Sequence, residues 1–128
     1  MIETSPNSGF YCLRSGNFPK IKFLLSTEVA LIYKAGGRAR RLHIVVHGPS
    51  LEAVRELNRL LGLRFNVKSD GRPILDISAP DFVKLCLSVS PQFIIYPAHI
   101  WTPWFSVFGS KSGFNNLKEC FEDTTKNI

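Results

Sequence analysis

The chain has 128 residues, 45% hydrophobic and 20% charged: enough for one domain with a real core, and too apolar for disorder to be the default. No stretch approaches the ~18 continuous apolar residues of a membrane span, and the N-terminus lacks the cationic-then-apolar order of a signal peptide. A net charge of +6 suits a polyanionic partner, nucleic acid first, and equally describes a solvated basic face. The cations gather at Lys34, Arg38, Arg40 and Arg41, then at Arg55, Arg59, Arg64, Lys68 and Arg72. Cys12, Cys86 and Cys120 are odd in number and widely spaced, as expected of reduced thiols in a cytoplasmic protein.

Residues 1–20 are punctuated by Pro6, Gly9, Gly16 and Pro19, which predicts a loop or weakly anchored start. The dense apolar run Ile21–Leu25 predicts a buried strand, with Glu28 just beyond it, either in solvent or at a site at the strand's mouth. Val29–Tyr33 and Leu42–Val46 are β-prone runs separated by a segment containing Gly36 and Gly37, which predicts a hairpin. His43 and His47 flank three β-branched residues and so belong to a strand. There they share a face but lie about 13 Å apart, so at most one of them serves a given ion. Ser50 caps a helix over Leu51–Leu61 that Gly62 closes, and Asp70 to Pro73 marks a turn. Ser78 and Asp81 open a second helix reaching about Val89, with Phe82, Val83, Leu85, Cys86 and Val89 inward. Phe93–Pro97 reads as a short core strand, and Asn115 or Asn116 caps a last helix that buries Leu117, Cys120 and Phe121.

This alternation predicts an α/β fold, in which ligands bind where strands end. Beyond Pro97 the sequence crowds His99, Trp101, Trp104 and Lys111 into one loop with Gly109 and Gly113. The two indoles either cap the core or line a site. Glu28, His43 or His47, and His99 are ligand types suited to zinc, manganese or iron, although no spacing motif links them. The Gly109–Gly113 stretch lacks the G-x-x-x-x-G-K-[ST] order of a nucleoside-triphosphate loop. Cys86 and Cys120 sit at inward helix positions, which favours inert packing over nucleophilic chemistry.

Several segments carry a resemblance in order: Leu25 to Val29, Arg41 to Val46, Ser69 to Leu75, Pro97 to Ser106, Phe108 to Phe114, and Glu119 to Phe121. Together they resemble endonuclease Q and its bacterial relatives in the polymerase-and-histidinol-phosphatase (PHP) superfamily. The likeness runs over residues 21–123, leaving 1–20 as an undetermined start and 124–128 as a tail. It implies a fragment of a distorted β/α, TIM-like barrel holding a zinc or manganese cluster at the mouth of its strands. It also implies cleavage of DNA on the 5′ side of deaminated bases or abasic sites. Glu28, His43 and His99 fall where the family places metal ligands. Asp70, Arg72, Trp101 and Trp104 are candidates for a pocket that reads the extruded base, and Lys111 for a phosphate contact. The family's His-x-His and Asp-x-His pairs and its four-cysteine zinc module have no counterpart in these 128 residues. The expectation is therefore the middle of a barrel, able to hold one ion at most and inactive alone. A non-catalytic DNA-binding or structural remnant, and a phosphoesterase acting on small phosphates, stand as alternatives.

Overall fold

The computed structural model describes residues 2–5, 8–13, 21–68 and 71–128. Its backbone is β1 (Ile2–Glu3), β2 (Phe10–Cys12), β3 (Phe23–Ala35), β4 (Arg38–Gly48), α1 (Leu51–Gly62), β5 (Ile74–Leu75), α2 (Ala79–Val89), β6 (Ile94–Pro97) and α3 (Leu117–Phe121). A 3-10 helix, Glu122–Asn127, follows. The six strands form one sheet in the order β1-β2-β3-β4-β6, with β5 added beside β3.

Glu28 lies within one long strand, Phe23–Ala35, and the Ile21–Leu25 run expected to be buried overlaps its exposed end, with Ile21, Phe23 and Leu24 all exposed. Gly36 and Gly37, at φ of 58° and 72°, make the tight turn that pairs β3 with β4 over eleven residues, from Leu25↔Gly48 to Ala35↔Arg38. That hairpin overturns both the α/β expectation and the barrel: the sheet is mainly antiparallel. A β/α barrel needs parallel strands joined by crossover helices, whereas a two-residue turn makes neighbours antiparallel. Among the described residues only the short β3–β5 contact is parallel, and the sheet is open. Nor can a metal site sit at a shared C-terminal mouth, since antiparallel neighbours end on opposite sides.

Alternation then sorts the hairpin into two faces. Val29, Leu31 and Tyr33 from β3, and Leu42, Ile44 and Val46 from β4, are buried on one face with Leu75 and Ile95. All three helices cover that face through Leu57, Leu61, Phe82, Val83, Cys86, Cys120 and Phe121. Each large side chain so buried contributes roughly 1.5–3 kcal/mol. The helices begin where expected: Ser50 accepts from Ala53 N–H, Ser78 from Asp81 N–H, and Asn116 from Glu119 N–H. Gly62 stays inside α1, whose cap is Leu63 in ordinary helical geometry.

On the opposite face no helix packs among the described residues. It carries Glu28, Ala30, His43, Val45 and His47, together with Ile74, Ile94 and Tyr96. The run read as a core strand is thus an edge strand, with Phe93 and Ile95 buried and Ile94 and Tyr96 exposed. The described helices include none long and apolar enough to cross a membrane.

Candidate metal centre

Strand register brings the first two donors together. Ala30 is the direct partner of His43, so Glu28, two residues back on the same face, is its diagonal neighbour. The third donor arrives by the loop after β6. Ala98 N–H bonds the His43 carbonyl at 2.9 Å, and His99 then turns at a φ of 29° to face the hairpin. Glu28 Oε1 lies 3.2 Å from His43 Nδ1 and 3.8 Å from His99 Nε2, and the two nitrogens are 2.9 Å apart. Donors bound at ~2.1 Å around a tetrahedral ion are about 3.4 Å from one another, so this triangle needs only small adjustments to become one face of a coordination shell. Among the described residues these three form the group spaced for a metal ion.

Electrostatics agree with the spacing. Glu28 Oε1 is buried and has no hydrogen-bond partner. It is ion-paired by distance, 2.8 Å from Arg72 Nη2 and 3.2 Å from His43 Nδ1, without a contact of hydrogen-bond geometry among the described residues. His43, its side chain 12% exposed, has its pKa lowered by burial first and by the Arg72 charge second, against the pull of Glu28. A neutral imidazole with a free lone pair is the form that ligates cations.

The loop is fixed by contacts that the sequence did not disclose. His43 N–H donates to the Phe105 carbonyl at 3.0 Å, and the Phe105 ring stacks on the imidazole with centroids 4.6 Å apart. Phe105 reaches this position at a φ of 55°, a conformation unfavourable for a bulky residue and a pointer to function. His99 Nδ1 is 2.9 Å from Thr102 Oγ1, whose own hydroxyl can donate to the Trp104 carbonyl. Nδ1–H is then the donor, and the Nε2 lone pair points to the cluster. Buried Arg40 pins the far end of the loop by donating to the Ala35 and Gly113 carbonyls, stacking 4.1 Å over Phe114 and pairing with Glu119. Gly109 is required because a Cβ there would lie 2.7 Å from the Thr102 carbonyl, and Gly113 packs on Gly109 in the same way. Both glycines serve the loop's own closure instead of leaving its backbone open.

Of the other expected site residues, Arg72 joins the cluster, with Nη1 also 3.4 Å from His43 Nε2. Trp104 is half-exposed beneath Arg41, whose guanidinium lies 5.3 Å from the ring, and Trp101 is exposed beside Phe108. Lys111 is exposed on the loop, its backbone N–H held by Pro103. Asp70 lies outside the described residues. His47 shares the His43 face but bonds Tyr96 OH at 2.9 Å, as part of a separate pair.

No protein-family model matches this sequence, and no curated protein matches it. Among solved structures, the chain is similar to the lesion-specific endonuclease PfuEndoQ from Pyrococcus furiosus, with a TM-score of 0.67 and 24% identity over 93% of this chain. The fold is shared. The match covers 26% of the PfuEndoQ chain, so this chain spans about a quarter of that protein's length. The resemblance to endonuclease Q read from sequence segments thus has a counterpart in backbone geometry, while PfuEndoQ's activity remains that protein's own.

Proposed function

We propose that the bare sheet face is a metal-dependent centre for DNA strand cleavage at damaged bases, of the endonuclease Q type. The observation that carries this reading is the Glu28–His43–His99 triangle, spaced for a metal ion, in a chain that shares its fold with a lesion-specific endonuclease. One carboxylate and two imidazoles suit zinc or manganese, and three protein ligands leave a position open for substrate or water. A bound ion would supply Lewis-acid stabilisation of charge on a phosphoryl oxygen. The chain's own residues would orient it: Thr102 sets the His99 tautomer, Phe105 holds the His43 ring, and the β3–β4 register fixes Glu28. Trp104 and Trp101 offer aromatic faces to an extruded base, and Arg41 and Lys111 offer charge to the backbone.

The Arg72–Glu28 ion pair favours a second reading, a DNA-binding remnant in which a guanidinium has replaced the ion. A labelled duplex with one deoxyinosine or deoxyuridine, incubated with protein and Mn²⁺ or Zn²⁺, separates the readings. Metal-dependent nicking 5′ of the lesion, lost in Glu28→Gln, supports the cleavage centre and overturns the expectation that the chain is inactive alone. Lesion-selective binding without metal dependence supports the remnant. Indifference to the lesion, with competition by small phosphate esters, transfers the centre to phosphoesterase chemistry.

A further inference from the structure

We infer that Arg72 is a built-in competitor for the cation, so that the centre is gated by its own guanidinium. The inference rests on the metal-centre reading above. Arg72 contacts two of the three donor residues at once, with Nη2 at 2.8 Å from Glu28 Oε1 and Nη1 at 3.4 Å from His43 Nε2. A guanidinium is charged at all working pH values, so it neutralises the cluster without needing a proton.

The contact is built to be displaced. Only Nη2 reaches Glu28 Oε1, without hydrogen-bond geometry, so the strong two-pronged carboxylate pair is not made. Both side chains are partly exposed, 42% for Arg72 and 31% for Glu28, and ion pairs so placed are weak. The Arg72 backbone sits between Gly71, at a φ of 81°, and Pro73, whose carbonyl is tied to Ala30 N–H at 2.9 Å. The side chain can swing away while that anchor keeps the segment beside β3.

Proton bookkeeping makes cation and guanidinium mutually exclusive. Arg72 can only donate, so its contact with His43 needs the lone pair on Nε2 and leaves the ring proton on Nδ1. Nδ1 is the nitrogen that faces Glu28 and His99. A cation bound at Nδ1 needs that lone pair, and the ring proton then resides on Nε2, pointing at the guanidinium N–H. Donor meets donor. Glu28 Oε1 would be engaged at the same time, so Arg72 would lose both partners together. The apparent affinity for metal is thereby reduced by the fraction of molecules in which the guanidinium is seated.

The test is zinc affinity by calorimetry, with Co²⁺ absorption as an independent signature of the shell, on the whole chain and on Arg72→Gln. The expected result is zinc binding about fivefold tighter in Arg72→Gln, equivalent to the ~1 kcal/mol of a partly exposed ion pair. Arg72→Lys keeps the charge but not the two-pronged reach, and should fall between the two; it serves alone if Arg72→Gln does not fold. Equal or weaker zinc binding in the variants, with a wild type that does bind, overturns the competition and leaves the metal centre standing. Absence of zinc binding in every chain overturns the metal centre itself, and this inference with it.

Discussion

On one face of the β3–β4 hairpin, Val29, Leu31, Leu42 and Ile44 are at most 2% exposed beneath three helices. One residue away along each strand lies the other face, where Glu28, His43 and Arg72 form a polar cluster near Ile74, with Ile94 further along beside His47; both isoleucines are more than 60% exposed. The same backbone hydrogen bonds support both faces. Alternation lets a single hairpin separate stability from chemistry. Substitutions on the helix-covered face test the fold, and substitutions of exposed residues on the other face, such as Ile94, should cost folding little.

The largest effect belongs to the buried face. Leu31→Ala should cost about 2–5 kcal/mol in urea unfolding, whereas Ile94→Ala should stay within roughly 0.5 kcal/mol of wild type. Similar losses from both would break the comparison. Next comes the support of the site: Thr102→Val removes the acceptor for His99 Nδ1–H and should weaken metal binding about 10–100-fold, a loss that Thr102→Ser, which keeps the hydroxyl, should not show. Trp104→Ala should lower the preference for a deaminated base by about 1–3 kcal/mol of stacking, while Lys111→Ala should weaken all DNA alike and flatten the salt dependence. A lower melting temperature with unchanged base preference would return Trp104 to the structural role that sequence allowed.

Near neutral pH the smallest effect is a pH response of the buried face, which grows only in alkali. Burial pushes the Cys86 and Cys120 thiols up to about 12 from 9.0 and raises the Tyr33 phenol as well. The folded chain holds these protons where the unfolded chain releases them, so their contribution to stability is constant below about pH 9 and declines as pH rises from there towards 12. At pH 8 both thiols should resist iodoacetamide until the protein unfolds. Rapid native labelling of either would show that the helical layer opens.

Much of the covered layer was legible in the sequence. Ser50, Ser78 and Asn116 announced helix starts through capping chemistry, and Gly36 and Gly37 announced the hairpin, because both signals are local. The barrel was not a local signal: it came with the resemblance, and the hairpin argued against it. Edge placement of Ile94–Pro97 was hidden because an apolar run reads the same whether one face or two are covered. Convergence of Glu28, His43 and His99 rests on register across β3 and β4 and on a positive-φ turn at His99, and spacing along 72 residues encodes neither. Phe105 and Thr102 were overlooked beside the tryptophans, although Thr102 stands three residues from His99, within reach of its imidazole.

The most direct test of the bare face as a metal centre is an anomalous difference map, collected at the zinc edge from crystals grown with zinc. The account predicts one peak about 2.0–2.2 Å from Glu28, His43 Nδ1 and His99 Nε2, with the Arg72 guanidinium withdrawn. A map with Arg72 still on Glu28 and no peak at the triangle, or with its peak at His47 instead, would contradict it.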